Sequence, residues 1–199
     1  IGSGLVGSEM CIRDRFYPGK ALYDRDKQKA HPHKNRTAKE NIMQRFDLNQ
    51  NWEYLESSLQ NPLMVGMLQG WKKTSLPHDY AVEKARSPEA ATGLDEGFMA
   101  CAGLYYRKSF TVEPEIIGQR FWLEFEGIAG ITEVWLNKKP IAKHNNPYTG
   151  FWVEVTKLLQ AGDNEITVYT DNRTKPNSRW YVGCGIYRSV WLHMASAVS

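Results

Sequence analysis

The chain is predicted to be an all-β antiparallel sandwich or jelly roll of about eight or nine short strands. Three observations carry that expectation. In Arg120–Glu126, Phe121, Leu123 and Phe125 alternate with Trp122, Glu124 and Glu126, the period-two signature of a half-buried strand. Ile131–Leu136 and Pro140–Lys143 flank Asn137-Lys138-Lys139, a hairpin whose Asn suits a positive φ. No ten-residue window holds a convincing helical stripe; residues 58–69 come closest, and Pro62 and Gly66 interrupt them.

The remaining elements follow the same logic. Asn51–Leu55 and Trp71–Ser75 are short strand candidates, and Leu104–Val112, Phe151–Val155, Glu165–Tyr169 and Ile186–His193 are further strands. Thr156 is placed to cap one helical turn, Lys157–Gln160, which Gly162 closes.

Length and composition bound the function. The 199 residues allow one domain with a tail, and all seven Trp lie after position 50. Residues 1–40 carry nine Lys/Arg against five Asp/Glu; residues 41–199 carry 16 against 17. The net charge of +3 is therefore a property of the first forty residues and argues against a nucleic-acid surface on the rest. No apolar run approaches the ~18–20 residues of a membrane span, and no signal segment opens the chain. Cys11, Cys101 and Cys184 show no C-x-x-C spacing, which excludes a disulfide framework and the common zinc sites and leaves free thiols. Residues 1–40 lack any core-forming period and are expected to be a disordered or non-native extension preceding a domain at 41–199. Within them, residues 1–15 resemble a translated adapter scar around Val6–Arg15, and His31-Pro32-His33 reads as a solvated tail rather than a metal handle.

Catalytic patterns are weak. Glycosidases need two carboxyl groups ~5–5.5 Å apart for retention or ~6.5–9.5 Å for inversion. Glu124 and Glu126 sit roughly 6.5–7 Å apart on one strand face. That face is opposite the apolar one, so a plain solvent face is expected. Glu113/Glu115 and Asp95/Glu96 fall in loops. Ser75, His78 and Asp79 have hydrolase residue types without a G-x-S-x-G elbow, so His78 and Asp79 are expected to serve a structural or turn role. Gly183 and Gly185 have no helix to receive a phosphate. Trp122, Trp135 and Trp191 are expected in core or interdomain packing. Trp180 and Tyr181, between a turn-rich stretch and the glycine pair, suit either a ligand-facing loop or loop structure alone.

Asp171-Asn172 followed by Pro176–Leu192 (PNSRWYVGCGIYRSVWL) resembles the end of the N-terminal sugar-binding domain of glycoside hydrolase family 2, in its β-galactosidase branch. Phe46–Trp52, Leu76-Pro-His-Asp79, Tyr106–Phe110, Phe125-Glu-Gly127, Val134–Asn137, Tyr148–Phe151 and Asp163–Ile166 follow in the family's order and carry the likeness across residues 44–193. The resemblance implies a galactose-binding-like jelly roll in a longer polypeptide. That parent would add an immunoglobulin-like sandwich and a TIM barrel bearing the catalytic glutamates, as a retaining exo-β-glycosidase acting on terminal β-galactosides. No catalytic residue falls in this chain, which alone is expected to be inactive. The implied substrate-binding residues are Asp171, Asn177, Arg179 and Trp180.

The family often has an Asp six positions before G-I-[FYH]-R, reaching into the sugar pocket; here that position is Arg179. An arginine only donates, so donation to sugar hydroxyls or pairing with a barrel carboxylate replaces acceptance. The change also removes a family-typical oxygen ligand for an alkali cation. No cofactor is implied in this chain, and a divalent or alkali cation would belong to the parent. Lys138 stands where the family's hairpin has Gly, implying a looser or longer turn. A stand-alone carbohydrate-binding module and a structural or interaction sandwich are the alternatives. Oligomeric state and compartment, cytoplasmic or periplasmic in a bacterial-type cell, are left open.

Overall fold

The computed structural model describes residues 43–57, 62–90, 92–173 and 183–195, without the side chains of 62 and 63. The extension at 1–40 lies outside these residues. Ten strands form two antiparallel sheets: β1 (Gln44–Asp47), β2 (Trp52–Glu56), β3 (Lys72–Thr74), β4 (Gly103–Val112), β5 (Arg120–Phe125), β6 (Ile131–Leu136), β7 (Lys139–His144), β8 (Phe151–Glu154), β9 (Gly162–Asp171) and β10 (Val190–Ala195). One sheet runs β1-β10-β5-β8 and the other β3-β2-β4-β9-β6-β7. Helical structure among the described residues is confined to 3₁₀ turns of three to six residues.

The core forms where the alternating apolar faces of the two sheets meet. Phe121, Leu123 and Phe125 from β5 and Val190 and Leu192 from β10 face Leu104 and Tyr106 from β4, Val134 and Leu136 from β6, and Ile166 and Val168 from β9. Full burial of one such aliphatic side chain stabilises by about 1.5–3 kcal/mol. The six-stranded sheet is also covered on its outer side. There Tyr105, Trp135 and Tyr169 pack under Val65, with Leu68 and Trp71 at the margin. Two buried faces explain the unbroken run of buried side chains Leu104-Tyr105-Tyr106, because a strand covered on both sides loses its polar alternation.

Several expectations need correction. β1 has no counterpart in the sequence reading, because all four of its residues are exposed and show no apolar alternation. It is instead held by backbone pairing with β10, from Gln44–Met194 to Asp47–Trp191. The turn at 156–160 is not a capped helix: Leu158 and Leu159 N–H both donate to Val155 C=O, and the Thr156 hydroxyl accepts from Phe121 N–H at 2.9 Å, closing the edge of β5. The hairpin turn is tight rather than loose. Asn137 and Lys138 both have positive φ, 50° and 66°, and Leu136 pairs directly with Lys139. Asn137 holds the turn, donating from Nδ2 to Leu158 O and Asn164 Oδ1 and accepting from Glu165 N–H at 2.9 Å. Those bonds keep Lys138 in a conformation a β-carbon disfavours.

The carboxylate pair on β5 is not a bare solvent face. Strand register sets Glu124 between Trp191 and Trp152. Glu124 accepts from His193 Nε2 at 2.7 Å; Glu126 accepts from Arg45 Nη2 at 2.7 Å and Trp191 Nε1 at 2.9 Å. The Arg45 guanidinium stacks over Trp191 at 3.5 Å, and Trp152 lies against His193 at 4.2 Å. Trp122 sits on the same outer face beside Arg120, 4.7 Å away. Of the three tryptophans expected in packing, Trp135 is buried in the outer cluster of the larger sheet, and Trp122 and Trp191 line the outside of the smaller one.

Candidate functional site

The motifs that stand far apart in sequence meet at one end of the sandwich, beyond the C-terminal end of β9. Residues 183–189 lead into β10 and are gripped from both sides. Cys184 and Ile186 C=O accept from Tyr80 and His78 N–H, each at 2.8 Å, while Gly185 and Ser189 C=O accept from Ala129 and Glu126 N–H. The Asp79 carboxylate accepts from Cys184 N–H and Ala81 N–H, both at 3.1 Å. Tyr187 reaches across to the Pro147 carbonyl through its hydroxyl and packs on Gly127, where an added Cβ would lie 2.8 Å from the ring. Thus L-P-H-D, F-E-G, the stretch before Y-T-G-F and G-C-G-I-Y-R form one contiguous structure.

Beneath this structure lies a polar chain that the sequence pattern did not reveal, buried at His78, Tyr106 and Tyr54 and closed by the exposed Glu83. His78 is 5% exposed. Its Nδ1 lies 2.7 Å from Tyr106 Oη and its Nε2 3.2 Å from Glu83 Oε1. Tyr54 Oη donates to the other oxygen of Glu83 at 2.9 Å. The partners assign the tautomer: Nε2–H donates to Glu83, and Nδ1 accepts from the Tyr106 hydroxyl. Burial lowers the His78 pKa, opposed by the charge of Glu83. Burial, with the Glu83 hydrogen bond, pushes the Tyr54 phenol up to about 12. The Tyr106 hydroxyl meets His78, 28 positions earlier, and the Ile186 backbone, 80 positions later, and such pairings cannot be read from local sequence. The expectation of a structural or turn role for His78 and Asp79 agrees with these partners, and Ser75 is exposed.

A depressed histidine pKa has a definite consequence. The unfolded chain takes up this proton near pH 6.5 and the folded one only below it. The stabilisation from neutral His78 is therefore complete above about pH 6.5 and is lost as the pH falls through the lower, folded value. Urea midpoints should drop between pH 7.5 and 5.0, and less steeply in His78→Asn; equal slopes in the two proteins would count against a neutral, buried His78.

Of the four residues expected to bind substrate, the structure describes Asp171; Asn177, Arg179 and Trp180 lie outside the described residues, as does Tyr181. Asp171 ends β9 with its carboxylate engaged. Arg173 donates from Nη2 at 2.6 Å and Nε at 2.9 Å, and Tyr169 Oη donates at 3.1 Å. The Arg173 hydrogen bonds hold its pKa below the usual carboxylate range. Asn172 donates from Nδ2 to Gly183 C=O at 2.7 Å, so the residues on either side of 174–182 are joined. Asp79, Glu83 and Asp171 are each engaged by donors within the domain, an arrangement suited to fixing the chain rather than to acid–base chemistry. Glu113 and Glu115 are exposed in a 3₁₀ turn and its cap, and Glu96 is buried. No group of three or more His, Cys, Asp or Glu that could hold a metal occurs among the described residues, and no helix there is long and apolar enough to cross a membrane.

Fold and motif placement together define a galactose-binding-like β-sandwich. Residues 94–180 match the glycosyl hydrolase 2 galactose-binding domain-like family. A β-galactosidase of Bacteroides ovatus, BoGH2A, is 36% identical over 151 residues, 75% of this chain and 18% of its own length. A β-glucuronidase of Bacteroides fragilis is 29% identical over 152 residues, 73% of this chain and 20% of that protein. A β-glycosidase structure from Bacteroides vulgatus superposes with a TM-score of 0.70 and 28% identity, over 77% of this chain and 20% of that one. Residues 94–180 thus carry the likeness to the galactose-binding-like domain of glycoside hydrolase family 2, and the relatives extend it over about three quarters of the chain. It spans about a fifth of the length of the relatives it matches.

Proposed function

We propose that this chain is the N-terminal sugar-binding domain of a retaining exo-β-glycosidase acting on terminal β-galactosides, and that residues 177–181 line one wall of its active site. The observation that carries the reading is the clamp at the end of the sandwich. Asn172 joins the chain to Gly183 across 174–182, and the segment after it is fixed on both sides by 78–80 and 126–129. A loop rooted on rigid strands is how scaffolds present ligand-binding groups. The β-galactosidase relative at 36% identity favours a galactoside, while the glucuronidase relatives make a glucuronide the competing glycone. The acid/base and nucleophile belong to a TIM barrel, joined through an immunoglobulin-like domain, elsewhere in the parent polypeptide. This reading assigns no cofactor to the present chain and leaves any divalent or alkali cation to the parent.

The test uses the complete parent enzyme with nitrophenyl β-galactoside and nitrophenyl β-glucuronide. Arg179→Ala is expected to lower kcat/KM for the galactoside roughly tenfold or more, the loss of one charge-assisted hydrogen bond. An unchanged kcat/KM removes the wall role. Preference of the unaltered parent for the glucuronide would change the glycone and leave the wall standing. The 199-residue chain alone should hydrolyse neither substrate.

A further inference from the structure

Two thiols separated by more than eighty residues of sequence meet beside the clamp. Cys184 is 1% exposed and lies between the two glycines of the gripped segment; Cys101 is partly exposed just before β4. The Cys184 Sγ lies 3.8 Å from the carbonyl of Ala102, the residue next to Cys101. Asn172 Nδ2, which donates to Gly183 C=O, lies 4.0 Å from Cys101 Sγ, so one amide touches both cysteine neighbourhoods. The Cys184 thiol hydrogen-bonds with Cys101, and that bond together with burial raises its pKa far above the ordinary value. Buried Cys184 is thus held as a thiol, and the more accessible Cys101 is the sulfur an oxidant meets first.

We infer that Cys101 and Cys184 form a peroxide-responsive thiol pair whose disulfide staples the start of β4 to the segment that follows residues 174–182. In the first step the Cys101 sulfur takes one oxygen from hydrogen peroxide, giving a sulfenic acid and releasing water. In the second, Cys184 sulfur attacks the Cys101 sulfur; the S–O bond breaks, the thiol proton leaves with the hydroxyl as a second water, and the S–S bond forms. Two thiols and one peroxide become one disulfide and two waters. The cross-link closes a long loop in the unfolded chain, which raises stability.

The test treats the full 199-residue chain carrying Cys11→Ser with hydrogen peroxide, followed by alkylation, peptide mapping and thermal melting. The expected result is a Cys101–Cys184 linked peptide, an intact mass lower by two hydrogens, and a melting midpoint higher by about 5 °C or more, reversed by a thiol reductant. In Cys184→Ser, Cys101 should instead proceed to sulfinic acid with no such rise; should that variant fold poorly, Cys101→Ser should leave Cys184 alkylatable only after denaturation. A Cys101 oxidised beyond the sulfenic stage while Cys184 remains a thiol, or a linked chain that melts no higher than the reduced one, would overturn the inference.

Discussion

Gly185→Ala should cost the domain roughly 3–5 kcal/mol and most of its soluble yield. Gly185 has φ of +124°, and a Cβ placed there would lie 2.2 Å from Tyr106 Oη and 2.9 Å from the His78 carbonyl oxygen. Neither neighbour can yield at low cost. Tyr106 is fully buried, and its hydroxyl bonds to His78 Nδ1 at 2.7 Å and to the Ile186 backbone. His78 itself is tied to Ile186 through its backbone N–H at 2.8 Å. The methyl group would separate the two strips of chain that these bonds hold together. If the domain lies near the low end of the usual range of about 5–15 kcal/mol, such a loss removes most of its stability. The check is the urea midpoint of the purified variant beside the unaltered chain; coincident transitions would mean that the strip around Gly185 is not confined as described.

Phe125→Ala is the second large effect, expected at about 3–5 kcal/mol, or a fall in Tm of roughly 6–20 °C. Phe125 is fully buried at the end of β5 and stacks on Phe151 of β8, ring centroids 5.0 Å apart and 17° from parallel. Truncation would open a cavity between the core and the 126–130 segment, which fixes residues 185–189. The loss should therefore appear also as faster hydrogen exchange at Ala129 and Glu126, whose N–H groups donate to Gly185 and Ser189. A full-strength core with faster exchange only at those amides would separate a local defect from the global loss expected here.

The alternation at 120–126 was legible because a strand covered on one side must send every second side chain inward. β1 was not legible, since an exposed edge strand is held by the hydrogen bonds of its neighbour and needs no apolar period. Glu124 and Glu126 were read as solvated because periodicity assigns a side of the sheet but cannot name what stands beside it. Their partners Arg45, Trp191 and His193 come from β1 and β10, as far as 81 residues away.

At the candidate site, the ordered motifs were legible and their meeting was not. Amino-acid order determined the antiparallel β class, the inward row Phe121, Leu123 and Phe125 and the family likeness, because these rest on local periodicity and on residue identity at fixed spacing. Tertiary structure alone decided that L-P-H-D lies against G-C-G-I, that Asn172 bonds to Gly183, and that Cys101 comes to rest beside Cys184. Such contacts are fixed by which strands pair across the sheet and by how close glycine lets two backbones approach, and neither is a property of any short stretch of sequence.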